Sequence, residues 1–129
     1  MPQFGRRSKE QLSSCHPDLQ KLFNEVIKNY DCTILEGHRS NADQLRAFNA
    51  GKSRIKSGGK HTHSPSLAAD VVPWPIDWKD KDRFYHFAGT VQGIAKMLNI
   101  KIRWGGDWDS DNDLKDQTLY DLPHFELID

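Results

Sequence analysis

Two histidines and two aspartates stand at spacings that would suit a metal ion: His63 and Asp70, seven positions apart, then Asp121 and His124 within Asp121-Leu122-Pro123-His124-Phe125-Glu126. Two imidazoles and one carboxylate leave the fourth position of a tetrahedral zinc open, which is what separates catalytic sites from closed structural ones. The remaining carboxylate can then act on a water next to the metal, so the set reads as hydrolytic, with a peptidase the first candidate. In an extended chain His61 would point to the same side as His63 and approach the same ion. Taken singly, each residue has an ordinary alternative: an acid beside a turn usually caps it, and an isolated histidine usually packs or is solvated.

The elements that must position these residues can be read from the apolar pattern. Leu67 to Val72 is short, apolar and β-branched at its end, just before Pro73, so it predicts a buried strand carrying Asp70, with His63 on the turn around Ser64-Pro65-Ser66. His124 to Ile128 alternates, which places His124 and Glu126 on one face of a second strand and Phe125 and Leu127 on the core side. Asp121 then lies just ahead of that strand. Pro17 opens a helix whose stripe is Leu19, Leu22, Phe23, Val26, Ile27 and Tyr30. Cys32 to Glu36 reads as a strand, Ser40 caps a short helix through Leu45 and Phe48 closed by Gly51, and Asp80 to Leu98 is a longer amphipathic helix in which His86 is structural. Ile100 to Trp104 supplies a further strand. The expectation is one α+β domain over residues 1–129, a small antiparallel sheet carrying the zinc site and packed with about three helices.

A chain of 129 residues buries about two thirds of the surface it exposes when unfolded. Lys+Arg and Asp+Glu both count 18, and this balance argues against a dedicated nucleic-acid binder, which carries a basic excess. Cys15 and Cys32 are too few for a disulfide scaffold, and free thiols are expected, with at most one bridge. No apolar segment suggests a signal peptide or membrane insertion, so synthesis in the cytoplasm is expected. Five cations (Arg46, Lys52, Arg54, Lys56, Lys60) form a loop edge that is either solvated or a positive rim for an anionic substrate. Asp107, Asp109, Asp111 and Asp113 alternate like the first half of a calcium loop, but the glycine and glutamate that complete such a loop are missing. Calcium is therefore a side expectation beside that of a solvated acidic turn.

The segment His61-Thr62-His63-Ser64-Pro65-Ser66-Leu67-Ala68-Ala69-Asp70 resembles the Ser-x-His-x-x-Gly-x-Ala-x-Asp signature of zinc peptidases of the VanX/VanY and D-alanyl-D-alanine carboxypeptidase type. Asp121-x-x-His124 resembles the second signature of that family, Glu36-Gly37-His38-Arg39-Ser40 resembles the loop with its substrate-polarising arginine, followed by a helix bearing Gln44, and Trp104-Gly105-Gly106-Asp107-Trp108 resembles its approach to the last strand. The likeness spans roughly residues 8 to 128. Two departures stand out: His61 replaces the signature serine and Ser66 its glycine.

The resemblance implies one zinc ion on His63, Asp70 and His124, the interval to Asp70 fitting only from His63. It implies Asp121 as general base, and Arg39 as oxyanion partner, a role in which a preorganised donor is worth ~3 to 4 kcal/mol. His61, His38, Gln44, Glu126 and Trp74 are candidate substrate-facing or supporting residues. Asp121 in place of the more usual glutamate, and a bare catalytic domain, suggest the phage endolysin branch, whose members cleave the L-alanyl-D-glutamate bond of peptidoglycan stem peptides. The enzyme would then be a monomer acting on the cell wall after release from the host. The rivals are a D-alanyl-D-alanine carboxypeptidase and a zinc-stabilised binding module without catalysis.

Overall fold

Local capping fixes where the helices start. His16 Nδ1 accepts from the Asp18 backbone N–H at 3.0 Å and Pro17 occupies the first turn, so helix α2 (Pro17–Asn29) begins there and buries Leu19, Leu22, Phe23, Val26 and Ile27. Ahead of it runs a shorter helix, α1 (Arg6–Ser13), which the sequence pattern does not announce because only Ser8 and Leu12 are buried on it. The Ser40 hydroxyl accepts from Asp43 N–H at 3.1 Å to open α3 (Asn41–Asn49), and Gly51 follows its end at φ 76°. Asp80 caps α4 (Lys81–Met97) through Arg83 N–H at 3.2 Å. The strands are β1 (Cys32–Glu36), β2 (Ala68–Pro73), β3 (Ile102–Gly105) and β4 (Asp121–Leu127). This computed structural model describes residues 2–51, 59–107 and 121–128.

The four strands form one antiparallel sheet in the order β1-β2-β4-β3. Side chains alternate across a pleated strand. Ala69 and Val71 of β2, Ile34 of β1 and Phe125 of β4 therefore enter one core with Leu19, Phe23 and Val26 of α2 and Phe87, Ala88 and Val91 of α4. The Phe125 ring sits at its centre, edge-on to Phe23 at 5.7 Å and to Phe87 at 6.0 Å. The residues between these core positions, Asp70, His124 and Glu126, fall on the opposite face of the sheet.

Register then does the positioning. Glu36 lies opposite Asp70, and Asp70 opposite His124, so three adjacent strands place these side chains in one row. In the β3–β4 pair Arg103 faces Glu126, and a register shift after Trp104 brings Gly105 opposite Asp121. Asp121 is the first residue of β4 itself, where the sequence placed it just before the strand. The expected α+β architecture holds, with four helices among the described residues against the three expected.

Candidate metal centre

Among the described residues, His61, Asp70 and His124 each offer a ligand atom, and the three atoms lie within 4.8 Å of one another. Asp70 is the pivot. Its Oδ1 is 3.2 Å from His61 Nε2 and 3.4 Å from His124 Nδ1, and its Oδ2 is 3.6 Å from Arg39 Nη2.

The outer nitrogen of each ring shows which nitrogen is free to bind an ion. His61 Nδ1 is 2.7 Å from the Gly37 carbonyl, which can only accept, so Nδ1 carries a proton and Nε2 is the ring nitrogen that faces the site. His124 Nε2 is 2.8 Å from Glu126 Oε1, so the donor there is Nε2–H, and Nδ1 faces Asp70 and Asp121. Buried histidines held in this way by a carbonyl and a carboxylate are typical supports for metal-binding imidazoles. The donor set, two imidazole nitrogens and one carboxylate oxygen, fits a zinc ion with an open position.

The two histidines of this loop stand the other way round from the expectation. His63, expected as the ligand, is exposed and its Nδ1 lies 2.9 Å from its own loop carbonyl of Pro65; His61 is 6% exposed and stands beside Asp70. The physical reason is that residues 60–65 turn instead of extending, so the two-residue alternation does not bring both rings to one side. Backbone bonds pin the loop: Arg39 N–H to the His61 carbonyl at 2.8 Å, Leu67 N–H to the Lys60 carbonyl at 2.9 Å, and Ser66 N–H to the Ser14 carbonyl at 2.9 Å. Ser66 is fully buried, and its hydroxyl donates to the Ala68 carbonyl at 2.7 Å. It thus fills with a hydrogen bond the place where the family signature has glycine.

Gly37 completes this support. A Cβ there would run into the Gln11 carbonyl and the Ser14 hydroxyl, so only glycine lets the strand end approach closely enough to receive His61. None of Gly37, Ser66 and Glu36 was a sequence candidate in its own right. Glu36 and Gly37 had a signal, since they lie in the arginine loop.

Burial and charge oppose each other across the cluster. Burial alone would raise the Asp70 carboxyl, but hydrogen bonds from His124 and His61 outweigh it and hold the group well below the usual carboxylate range. Burial would lower the His124 imidazole, yet its bonds to Asp70 and Glu126 raise it to about 9 without a cation present. Asp121 is displaced the other way: burial first, then the charge of Asp70, push its carboxyl up. Its Oδ2 lies 3.9 Å from His124 Nδ1. Its carboxylate therefore borders the cluster without being one of the three grouped ligand residues.

Arg39 is mostly buried, 13% exposed at the side chain, and donates to Glu36 through Nε and to the side-chain oxygen Oε1 of Gln44 at 2.8 Å through Nη1. The α3 helix buries Gln44 for this contact and leaves Leu45 and Phe48 exposed. His38 is exposed, its N–H bonded to the Ser14 hydroxyl at 2.8 Å. Trp74 is 54% exposed just past the end of β2, so it is not a core residue. Asp107 is buried in the turn after β3, while Asp109, Asp111 and Asp113 lie outside the described residues, as do Lys52, Arg54 and Lys56 of the basic edge. Cys15 and Cys32 are both buried and free, and burial raises their thiols to about 11 and about 12. No helix among the described residues is long and apolar enough to cross a membrane.

The chain is similar to known proteins over nearly its whole length. The chain is 33% identical to the L-alanyl-D-glutamate peptidase of Escherichia phage T5 over 133 aligned positions, covering 97% of each protein. The crystal structure of the Serratia marcescens L-Ala D-Glu endopeptidase ChiX superposes with a TM-score of 0.76 at 29% identity, over 98% of this chain and 90% of that one. Residues 1–128 match the phage L-alanyl-D-glutamate peptidase family, and the chain belongs to it.

Proposed function

We propose that this protein is a zinc-dependent endopeptidase that cleaves the L-alanyl-D-glutamate bond of peptidoglycan stem peptides. The observation that carries the reading is the convergence of His61, Asp70 and His124 beside an acid, Asp121, whose Oδ2 lies 3.9 Å from His124 Nδ1. The ion, when bound, supplies Lewis acidity toward the scissile carbonyl and toward water. His61 would hold it through Nε2, His124 through Nδ1 and Asp70 through a carboxylate oxygen.

The chain's own groups do the rest. Asp121 takes the proton of the attacking water and returns it to the amine of the departing D-glutamate. Arg39 presents its guanidinium, held by Glu36 and Gln44, to stabilise the oxyanion that forms when the carbonyl is attacked. His38 and Trp74, both exposed, are candidate substrate contacts on the rim.

A second reading of the ligand set has one observation in its favour. The seven-residue interval from His63 to Asp70 matches the family signature, and His63 sits two residues along the same loop with an exposed ring. In that version His63 binds the ion and His61 remains the hydrogen-bond partner of Asp70.

Digestion of purified peptidoglycan, with the new ends identified by mass spectrometry, tests the function. New L-alanine carboxyl and D-glutamate amino ends are expected, and activity should be abolished by chelation and restored by zinc. Release of D-alanine would replace this reading with a carboxypeptidase. Asp121→Ala should lower kcat by about 10²-fold or more while zinc remains bound; undiminished cleavage by that variant would reject Asp121 as base, and lack of any cleavage by the native protein would favour a binding module.

A further inference from the structure

Strand β3 supplies no metal ligand, yet two of its residues reach the groups that do the chemistry. Arg103 Nη2 donates to Glu126 Oε2 at 2.8 Å, and the other oxygen of the same carboxylate, Oε1, accepts from His124 Nε2 at 2.8 Å. Glu126 is only 5% exposed, and both of its oxygens are engaged. Two residues further along β3, Gly105 lies opposite Asp121.

We propose that Arg103 and Glu126 form a positioning pair that fixes the orientation and donor atom of His124; this rests on the reading of His124 as a metal ligand. A carboxylate on Nε2–H fixes that tautomer and the rotation of the ring, leaving Nδ1, the nitrogen turned toward Asp70, as the donor atom. Arg103 holds the second oxygen of the same carboxylate and so fixes the plane in which Glu126 meets the ring. The cross-strand register of Arg103 with Glu126 makes this a property of the β3–β4 ladder, so the edge strand sets the ligand geometry from outside the metal's own shell.

The test uses the full chain with Glu126→Ala, Glu126→Gln, Arg103→Met and the Arg103→Met/Glu126→Ala double variant. Zinc affinity is measured by competition with a chromophoric chelator, ligand geometry from the visible spectrum of the cobalt-substituted protein, and folding from thermal melts of the metal-free forms. Glu126→Ala is expected to weaken zinc binding by about 10- to 100-fold and to alter the cobalt spectrum. Glu126→Gln keeps an acceptor oxygen for His124 Nε2–H and should recover part of the loss. Arg103→Met should weaken binding by a smaller factor, and the double variant should be no weaker than Glu126→Ala alone, because the two residues act through one contact. Zinc affinities within about twofold of the native value in all variants, with only the melting temperature lowered, would overturn the proposal and leave the pair a fold contact. If the native protein itself bound no zinc, the ligand reading would fail first and this inference with it.

Discussion

At the scale of single residues, the site separates what spacing can reveal from what it cannot. The placing of Asp70 and His124 on neighbouring strands was legible because side chains alternate along β2 and along the paired part of β4; Asp121, three residues before His124 and beyond a register shift, had only the family resemblance as its signal. The histidine of the loop was not legible in the same way. Residues 60–65 follow turns tied down by the bonds of the His61 carbonyl to Arg39 N–H and of the Lys60 carbonyl to Leu67 N–H, and no periodicity predicts where a side chain points there. His61→Ala is expected to lower zinc affinity by at least about 100-fold, as loss of one of three protein ligands should, whereas His63→Ala should leave it nearly unchanged. Chelator competition on both variants decides the matter, and the opposite ranking would install His63 as the ligand. Arg39 belongs at this scale too: its sequence signal was the family loop alone, and its burial against Glu36, Gln44 and Asp70 became visible only once α3 was seen to turn Gln44 inward.

At the scale of elements, the helices with strong apolar stripes, α2 and α4, could be read directly, and so could the caps at Pro17 and Ser40. The α1 helix could not, since its faces are nearly all polar and it is held by contacts with β1, including the Ser8 hydroxyl that accepts from Ile34 N–H at 3.2 Å. The order of the strands was also hidden, because the pairing of β2 with β4 across an intervening helix and strand is a long-range choice made by the core. Gly105 shows what that choice demands. A Cβ there would press into the backbone carbonyl of Asp121, so Gly105→Ala is expected to cost about 1–3 kcal/mol of stability, the usual range for overpacking. On the proposal that Asp121 is the base, kcat should fall more than KM changes. Urea unfolding together with steady-state kinetics checks both; a variant as stable and as active as the native protein would show that Asp121 is not placed by this contact.

For the molecule as a whole, the cluster links metal binding, protonation and folding. Without a cation, His124 is raised from 6.5 to about 9, so its contribution to stability is complete below pH 6.5 and is lost as pH rises through about 9. Glu126 is lowered from 4.5 to about 2, so its contribution is complete above pH 4.5 and is lost as pH falls through about 2. Thermal melts of the metal-free protein should therefore show greatest stability between about pH 4.5 and 6.5, declining on both sides. Zinc replaces the proton on His124, so the gain in melting temperature on adding zinc should grow from pH 6 toward pH 9. A gain that shrank over that range would contradict the assignment of His124 as ligand. The buried thiols give a further check on folding: with Cys15 and Cys32 raised to about 11 and about 12, the native protein should resist thiol reagents at pH 8 and expose two reactive groups on denaturation. The most direct test of the central claim is anomalous diffraction at the zinc edge from crystals of the zinc-loaded protein. A single strong peak within bonding distance of Asp70 and His124 Nδ1, with His61 Nε2 as the third ligand, is the expected result; no peak there, or a peak distant from both Asp70 and His124, would contradict it.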